Sequence, residues 1–165
     1  QKDHPGLQKL IDDIYDTMRK AQGVGLAAPQ VGHNIRLFIA DGAGFEDNEE
    51  MKEFSQVFIN PVMEEEFDKD WEYSEGCLSI PGIRENILRP FSIKISYFDR
   101  DWVKHSNEIY TNLKARIIQH EYDHINGVLF IDRLNSLKKK LLKNKLKDIA
   151  KGKVDVVYKM VFPLK

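Results

Sequence analysis

This 165-residue sequence has one cysteine and no long apolar run, and each shortage excludes a class of protein. A single cysteine cannot form an intrachain bridge, so a disulfide scaffold is excluded. The longest apolar runs are far shorter than the roughly 20 residues of a membrane-spanning helix, and the start lacks the pattern of a secretory signal. Hydrophobic residues make up 42% of the chain and aromatic residues 10%, which suffices for one hydrophobic core.

The net charge of −1 hides an uneven distribution of charged residues. Residues 133–165 contain 11 basic and 2 acidic residues, a net of +9, whereas residues 1–132 contain 14 basic and 24 acidic residues, a net of −10. A basic tail beside an acidic body indicates either a polyanionic partner or a solvated helix face. The solvated face is the simpler interpretation of the charges alone.

Apolar periodicity predicts helices joined by short strands, with no repeat and no linker. The helices are predicted at residues 7–18, 112–126 and 136–150. The strands are predicted at residues 35–40, 56–59, 91–97 and 102–110, the last two as a hairpin. Two acidic segments, residues 45–54 and 64–72, are predicted to be loops with edge strands. The expected fold is one α+β domain over residues 1–165, with antiparallel sheets packed around the second helix and a C-terminal helix.

Two of these elements carry a detailed burial prediction. Alternation in the third strand predicts that Phe91, Ile93, Ile95 and Tyr97 face the core. The basic third helix is predicted to bury a face made of Leu137, Leu141, Leu142, Leu146 and Ile149.

The strongest pattern is HEYDH at residues 120–124, an HExxH motif inside the second predicted helix. Residues i and i+4 share one helix face, so the two imidazoles can point at one ion. Glu121 is placed to reach a water bound to that ion and to move its protons. The motif also occurs by chance on surface helices, but Leu113 and Ile117 extend the same stripe, which places both histidines on the core side.

A catalytic metal site needs a third protein ligand and an open position. No His or Glu follows His124, and Asp132 remains a possible oxygen ligand downstream. Upstream, Cys77 is the only thiol, and Gly76 beside it lets the backbone approach another group. A lone cysteine is usually a small buried apolar residue, but a thiolate is a strong ligand for zinc or ferrous iron. Cys77 is therefore favoured, and Asp132 is the alternative.

Residues 23–30, GVGLAAPQ, superficially match the GxGxxA pattern of dinucleotide-binding loops. That pattern must follow a strand and open a helix, whereas this segment follows a helix and has Pro29 where the new helix would run. It also lacks the lysine of a phosphate-binding loop, so nucleotide binding is excluded. The turn fixes Gln30, whose amide is a neutral donor able to hold an oxyanion. A surface glutamine at a turn is the alternative.

Three segments together resemble the signature blocks of the peptide deformylase family. They are GVGLAAPQ at 23–30, EGCLS at 75–79 and QHEYDH at 119–124, in the family's order. The similarity spans the chain from the first helix to Leu134, and the basic tail is less diagnostic. Family members usually begin with a short segment ahead of the first helix, so we expect an N-terminal segment to be missing here.

The resemblance implies a metal-dependent hydrolase that removes the formyl group from formylmethionyl peptides and releases formate. The implied metal ligands are Cys77, His120 and His124. Glu121 would act as general base and then as general acid, while the Gln30 side chain and the Leu78 N–H would hold the oxyanion. The family typically uses Fe²⁺, and Ni²⁺, Co²⁺ and Zn²⁺ accept the same ligands. We therefore expect one divalent ion per chain, with Fe²⁺ as the first choice.

We also expect an apolar cleft for the methionine side chain beside the metal. Ile117 lies one turn before His120 on the same helix face and is predicted to line this cleft. The backbones of Val24, Gly25 and Gly76 are predicted to pair with an extended peptide.

Three further residues are predicted to support the site. Glu75 and Asp123 are expected to hydrogen-bond the ligating histidines, because such histidines usually donate their second N–H. Arg84, seven residues after Cys77, is expected to order the cysteine loop.

Two alternatives and several partners follow from the sequence. One alternative is an HExxH peptidase with Asp132 as third ligand. The other is a metal-stabilised binding module whose basic tail docks on RNA, although a structural zinc site needs four protein ligands. We expect a formylmethionyl peptide as substrate, the ribosome as partner of the basic helix, and neither membrane nor direct DNA binding. A bacterial cytoplasmic enzyme is expected, with an organellar one that has lost its targeting segment as the alternative.

Overall fold

A computed structural model describes residues 5–163 as a five-stranded antiparallel sheet with four α-helices. The helices are α1 (Leu7–Lys20), α2 (Glu49–Lys52), α3 (Asn112–Ile125) and α4 (Ser136–Ala150). The strands are β1 (Gly25–Ala27), β2 (Leu37–Asp41), β3 (Ser55–Cys77), β4 (Ile80–Phe98) and β5 (Lys104–Thr111). Short 3₁₀ helices cover Ala28–Val31 and Phe130–Arg133. None of the helices between residues 5 and 163 combines the length and apolar composition that a bilayer-spanning segment requires.

The strands lie in the sheet in chain order, and each neighbouring pair is antiparallel. Antiparallel neighbours can be joined by two-residue turns. Leu78 and Ser79 form such a turn between the two longest strands, β3 and β4. The pairing of β4 with β5 confirms the predicted hairpin, and the predicted α+β class with a C-terminal helix is confirmed as well.

Helix α1, which was predicted over residues 7–18, packs an apolar stripe against β1 and β2. Its buried residues recur every three or four positions: Leu7, Ile11, Ile14 and Met18. They share a cluster with Leu26, Leu37 and Ile39 of the sheet. The helix therefore covers one part of the sheet and leads directly into the GVGLAAPQ segment.

Helix α3 packs against the sheet through Ala115, Ile117 and Ile118, in a cluster with Phe58 and Ile93. The same helix buries several polar side chains: Arg116, Gln119, Glu121, Asp123 and His124. Burying polar groups costs free energy unless they are hydrogen-bonded. So dense a polar set inside one helix identifies it as the element that carries the site.

The acidic segment 64–72, predicted to be a loop with edge strands, instead lies entirely within the long strand β3, so the predicted loop is wrong. All of its side chains are exposed or half-exposed, which removes the alternation that would have indicated a strand. The other acidic segment, residues 45–54, is a loop that contains the short helix α2.

Phe91 is exposed, contrary to its predicted inward orientation, while Ile93, Ile95 and Tyr97 are buried as predicted. A register shift in the β3–β4 ladder between Phe67 and Asp70 lies opposite this point. The irregularity turns Ser92 inward and leaves Phe91 outside.

Only part of the predicted apolar face of α4 is buried. Ile149 packs with Phe130 and Leu134, and Leu142 and Leu146 are half-buried beside them. Leu137 and Leu141 are exposed, so the prediction is wrong for these two residues. The apolar contacts of α4 with the body of the protein therefore begin at Leu142, whereas Lys138 and Lys139 near its start contact Glu85 and the Asp132 carbonyl through their ammonium groups.

Candidate metal centre and cleft

The HExxH segment lies inside α3, and its two histidines stand one helical turn apart. The ring centroids of His120 and His124 are 5.0 Å apart. Cys77, the last residue of β3, places its sulfur 3.2 Å from Nε2 of His124. The ligand atoms of Cys77, His120 and His124 all lie within 4.8 Å of one another. The turn that ends β3 thus brings the only thiol to the face of α3 that carries both imidazoles.

The donor set fits a divalent metal ion. A thiolate and two imidazoles are ligands that ferrous iron, zinc, nickel and cobalt accept. The second ring nitrogen of His120, Nδ1, lies 2.9 Å from Oε2 of Glu75, which is the partner that ligating histidines normally have. Next to the group, the buried Oε2 of Glu121 has no hydrogen-bond partner among residues 5–163. A buried carboxylate oxygen without a hydrogen bond costs free energy of folding. A molecule bound beside the ion could donate the missing hydrogen bond.

The electrostatics of this group favour a positive charge at its centre. Burial opposes protonation of His120, but the Cys77 sulfur and the Glu75 carboxylate outweigh burial and raise the pKa of His120 to about 10. Burial, assisted by the charge of His120, lowers the pKa of His124 to about 3, so this imidazole is neutral at pH 7. A metal ion supplies the same positive charge that the site otherwise obtains from a proton.

Glu121 follows His120 in α3 and is buried against β1. Burial raises the pKa of Glu121 to about 7, in the range that suits a group which both accepts and returns a proton near neutral pH. Gly25 of β1 lies against its side chain. A Cβ atom at Gly25 would lie 2.8 Å from both Cγ and Cδ of Glu121, where ordinary contacts are 3.4–4 Å. A glycine at this position is therefore what leaves room for the carboxylate.

Gln30 lies in the 3₁₀ helix after β1, with its amide held in one orientation. The Ala27 N–H donates to Oε1 of Gln30 at 2.8 Å, so the NH₂ group points the other way, toward the cysteine. Nε2 of Gln30 donates to Oγ of Ser79 at 3.0 Å and lies 3.7 Å from Sγ of Cys77. The surface glutamine considered as the alternative is therefore not what the structure contains.

A cleft of about 720 Å³ opens beside the metal group. The residues predicted to bind substrate all line it: Val24, Gly25, Gly76 and Ile117. Glu121, Gln30 and Leu78 line the same cleft. The structure thus brings the predicted catalytic groups and the predicted peptide-binding groups to one opening.

Glu75 accepts hydrogen bonds from three cationic or potentially cationic side chains. Arg89, fully buried, donates to its two oxygens at 2.7 and 3.0 Å, and Arg116 donates to Oε1 at 2.9 Å. His120 completes the set. Burial alone would raise the pKa of Glu75, but the hydrogen bonds from His120 and Arg89 hold it well below its usual range. Glu75 therefore remains an anion and fixes the orientation of His120.

Asp123 contacts arginines rather than the histidines that the sequence had suggested as its partners. Its carboxylate accepts from Arg89 at 2.8 Å and from Arg133 at 2.6 and 2.7 Å. Its connection to the metal group runs through Arg89 and Glu75. Arg84 donates to the Ser74 carbonyl at 2.7 Å, close to the cysteine loop.

Asp132, the alternative third ligand, is exposed and does not belong to the metal-binding group. Its Oδ2 accepts the backbone N–H of Leu129 at 2.9 Å and so caps the short 3₁₀ helix. Within residues 5–163, the group that could hold a metal ion consists of Cys77 and the two histidines without Asp132.

Sequence reasoning missed four residues near the site. They are Ser79, Arg89, Arg116 and Tyr158. Arg89 carried a usable signal, because it lies two residues after the buried Ile87 and so on the inward face of a strand. Tyr158 carried none, since its position depends on the path of the chain after α4.

Comparison with known proteins assigns the family. The sequence model of the family described as polypeptide deformylase matches residues 1–140. The peptide deformylase of Christiangramia forsetii is 54% identical over 170 residues, covering 98% of this chain and 86% of the relative. That of Cytophaga hutchinsonii is 53% identical over 157 residues, covering 95% and 84%.

Solved structures agree with the sequence relatives. A peptide deformylase from Plasmodium falciparum aligns with a TM-score of 0.80 at 35% identity, covering 90% of this chain and 84% of that one. Peptide deformylase 1B of Arabidopsis thaliana aligns with a TM-score of 0.79 at 38% identity, covering 91% and 80%. The chain therefore belongs to the polypeptide deformylase family, whose members are metal-dependent hydrolases that remove the N-formyl group from newly made polypeptides.

Proposed function

We propose that residues 1–165 act as one catalytic domain that hydrolyses the formyl group from the N-terminal formylmethionine of new polypeptides and releases formate. The observation that carries this proposal is the convergence of Cys77, His120 and His124 beside the buried, unpaired carboxylate of Glu121. Membership of the polypeptide deformylase family supports the same chemistry.

Cys77, His120 and His124 would hold one divalent ion, and we propose Fe²⁺ as the resident ion, as is typical of the family. When bound, such an ion polarises the carbonyl oxygen of the substrate and lowers the pKa of a water molecule. Zn²⁺, Ni²⁺ and Co²⁺ suit the same donors. Metal analysis of protein purified anaerobically, with activity measured after reloading each ion, tests the choice of iron. Full activity with zinc and none with iron would reject it.

Glu121 is the proposed general base and then the general acid. Its carboxylate accepts a proton from the water that attacks the formyl carbon, and returns a proton to the amide nitrogen as the C–N bond breaks. Formate and a free amino terminus result. The pKa of about 7, which burial produces, suits both transfers near neutral pH.

Gln30 and Leu78 are the proposed donors to the oxyanion that forms on the formyl oxygen. The fixed orientation of the Gln30 amide presents its NH₂ group to this position without reorganisation during the reaction. Removing one such donor typically lowers kcat by about 10²–10³-fold. Gln30→Ala should show a loss of that size, and an unchanged kcat would remove Gln30 from the mechanism.

The deciding experiment is formate release from a short formyl-Met peptide by ferrous-loaded protein, beside a Glu121→Gln variant of similar shape. We expect release by the wild type and a loss of several orders of magnitude in the variant, at equal metal content. The N-acetyl-Met peptide is the substrate control. A deformylase should process it more slowly than the formyl-Met peptide. Cleavage at internal peptide bonds, or full activity in Cys77→Ser, would instead favour the peptidase.

We further propose that the basic helix α4 docks this enzyme on the ribosome in the cytoplasm of a bacterium. The two curated relatives described above are bacterial. Lys140, Lys143 and Lys147 of α4 form no ion pair with any residue between 5 and 163, and the exposed Leu137 and Leu141 lie on the same helix. Each of these features leaves α4 free to contact a partner.

Binding to purified ribosomes at low and high salt tests this partner. A basic helix that contacts RNA phosphates should lose affinity steeply as salt rises. Charge reversal of the three lysines should abolish binding, whereas reversal of the exposed Lys69 on the acidic body should not. Binding that is absent, or independent of salt, would reject the ribosome as partner.

A further inference from the structure

The chain after α4 returns to the cleft. Gly152, with φ of +75°, ends the helix and reverses the chain, and Lys153 donates its N–H to the Asp148 carbonyl at 2.9 Å. The ring of Phe162 packs over Gly152, and Val154 packs against the cluster around Phe130. These contacts hold the tail in place, and residues 155–158 consequently line the same cleft as the metal group.

Tyr158 contacts the turn that carries the proposed oxyanion donor. Its hydroxyl donates to the backbone carbonyl of Leu78 at 2.8 Å, across 80 residues of sequence. On the same turn, Ser79 Oγ accepts from Gln30. The two-residue turn is thus held from outside at both of its residues, at Leu78 by the tail and at Ser79 by the 3₁₀ helix.

We propose that Tyr158 is a positioning residue for deformylation: by fixing the Leu78 carbonyl, it sets the direction of the Leu78 N–H that receives the oxyanion. This inference rests on the function proposed above. A two-residue turn has one central peptide unit, here the one between Leu78 and Ser79, and its orientation differs from one turn type to another. The hydrogen bond from Tyr158 fixes the carbonyl of this unit and so restrains ψ of Leu78. The Leu78 N–H belongs to the neighbouring Cys77–Leu78 unit, and it is restrained through the shared Cα of Leu78.

The tail position also explains why a residue so late in the chain can influence the reaction. Among residues 5–163, the hydroxyl of Tyr158 hydrogen-bonds Leu78 and neither the proposed metal ligands nor Glu121, so we expect it to act through Leu78. Its loss should therefore change how well the transition state is held rather than how well the peptide or the metal binds. An interaction made only in the transition state lowers kcat and leaves KM unchanged when it is removed.

The test compares Tyr158→Phe with Val161→Ala, a control in the same tail at a residue that is 97% exposed. In the full-length, ferrous-loaded protein we expect Tyr158→Phe to lower kcat by about 3- to 10-fold, as the loss of one ordinary hydrogen bond predicts. KM and metal content should stay unchanged, and Tm should fall by only a few degrees, as the loss of one hydrogen bond predicts. Amide hydrogen exchange of residues 77–83 should become faster in this variant, and the control should match the wild type in every measurement.

Three results would overturn the proposal. The first is an unchanged kcat with an unchanged KM. The second is an unchanged kcat with a raised KM, which would make Tyr158 a substrate contact. The third is unchanged hydrogen exchange at the turn. If the wild type releases formate and Tyr158→Phe behaves identically, the inference fails while the deformylase assignment stands. If the wild type releases no formate, the assignment fails, and the exchange data still decide whether Tyr158 holds the turn.

Discussion

Replacing Gly25 by alanine should reduce deformylase activity strongly while leaving the fold intact. Gly25 lies in β1, pairs with Ala40, and has ordinary strand backbone angles that alanine also adopts. The added Cβ would approach Cγ and Cδ of Glu121 to 2.8 Å, where ordinary contact begins at 3.4 Å, and would overlap Oε1 more severely. The carboxylate must therefore retreat by about 0.6 to 1 Å, and a misplacement of about 1 Å can cost roughly 10²-fold in rate.

The assay is steady-state formate release by ferrous-loaded protein, with metal content and Tm measured on the same samples. We expect kcat/KM to fall by about 10- to 100-fold, at wild-type metal content, because Gly25 touches Glu121 and not the proposed ligands. The same substitution in a Glu121→Asp background supplies an internal control. The shorter aspartate withdraws from the added methyl group, so Gly25→Ala should cost less there than in the wild type.

Equal costs of Gly25→Ala in the two backgrounds would refute this reasoning, because the effect would then not pass through the carboxylate at position 121. Wild-type activity in Gly25→Ala would refute it more directly. A large fall in metal content would assign the loss to the ligands instead of the proton-transfer group.

Three further predictions concern the buried charges and the metal. Arg89→Met removes the buried partner of Glu75 and Asp123, which should lower the free energy of unfolding by about 3–5 kcal/mol. At about 2–4 °C per kcal/mol, Tm should fall by roughly 6–20 °C. An unchanged Tm would contradict a net stabilising role for Arg89. Burial opposes ionisation of Asp123, but Arg133 and Arg89 hold its pKa below the ordinary value, and His120 and Arg89 do the same for Glu75. The stability that these carboxylates contribute should be present above about pH 4.5 and be lost progressively as pH falls toward their folded-state pKa values, so urea unfolding of chelator-treated protein should give a lower free energy of unfolding at pH 3.5 than at pH 7. Cys77→Ser should bind ferrous iron far more weakly and lose formate release, and retention of both would reinstate Asp132 as a candidate ligand.

Periodicity and motif spacing predict the parts of this fold where burial is one-sided. Helix α1 was predicted, and Ile93, Ile95 and Tyr97 of β4 are buried as predicted, because each of these elements has one face in solvent and one in the core. Residues 64–72 were misassigned because both faces of that part of β3 are largely solvated. Their strand conformation comes from pairing with β4, which is a property of the ladder and not of the segment itself.

The proposed reaction centre was predictable from the sequence to the extent that it consists of short motifs. HExxH fixes two imidazoles and a carboxylate on one helix, and the single thiol leaves few choices for a third ligand. What supports those groups was not predictable. Arg89 reaches Glu75 and Asp123 because of strand register, and Tyr158 reaches Leu78 because of the path of the tail. Register and chain path are set by the whole molecule, so no local pattern reports them.

The single carboxylate of Glu75 imposes a trade-off on how this protein can evolve. It accepts hydrogen bonds from two buried guanidinium groups and also orients a proposed metal ligand. Replacing a buried ion pair by well-packed apolar residues often leaves a protein as stable as before or more stable. Here such a replacement would leave His120 without its partner, so thermostable variants that keep activity should retain Glu75 and accumulate their changes elsewhere.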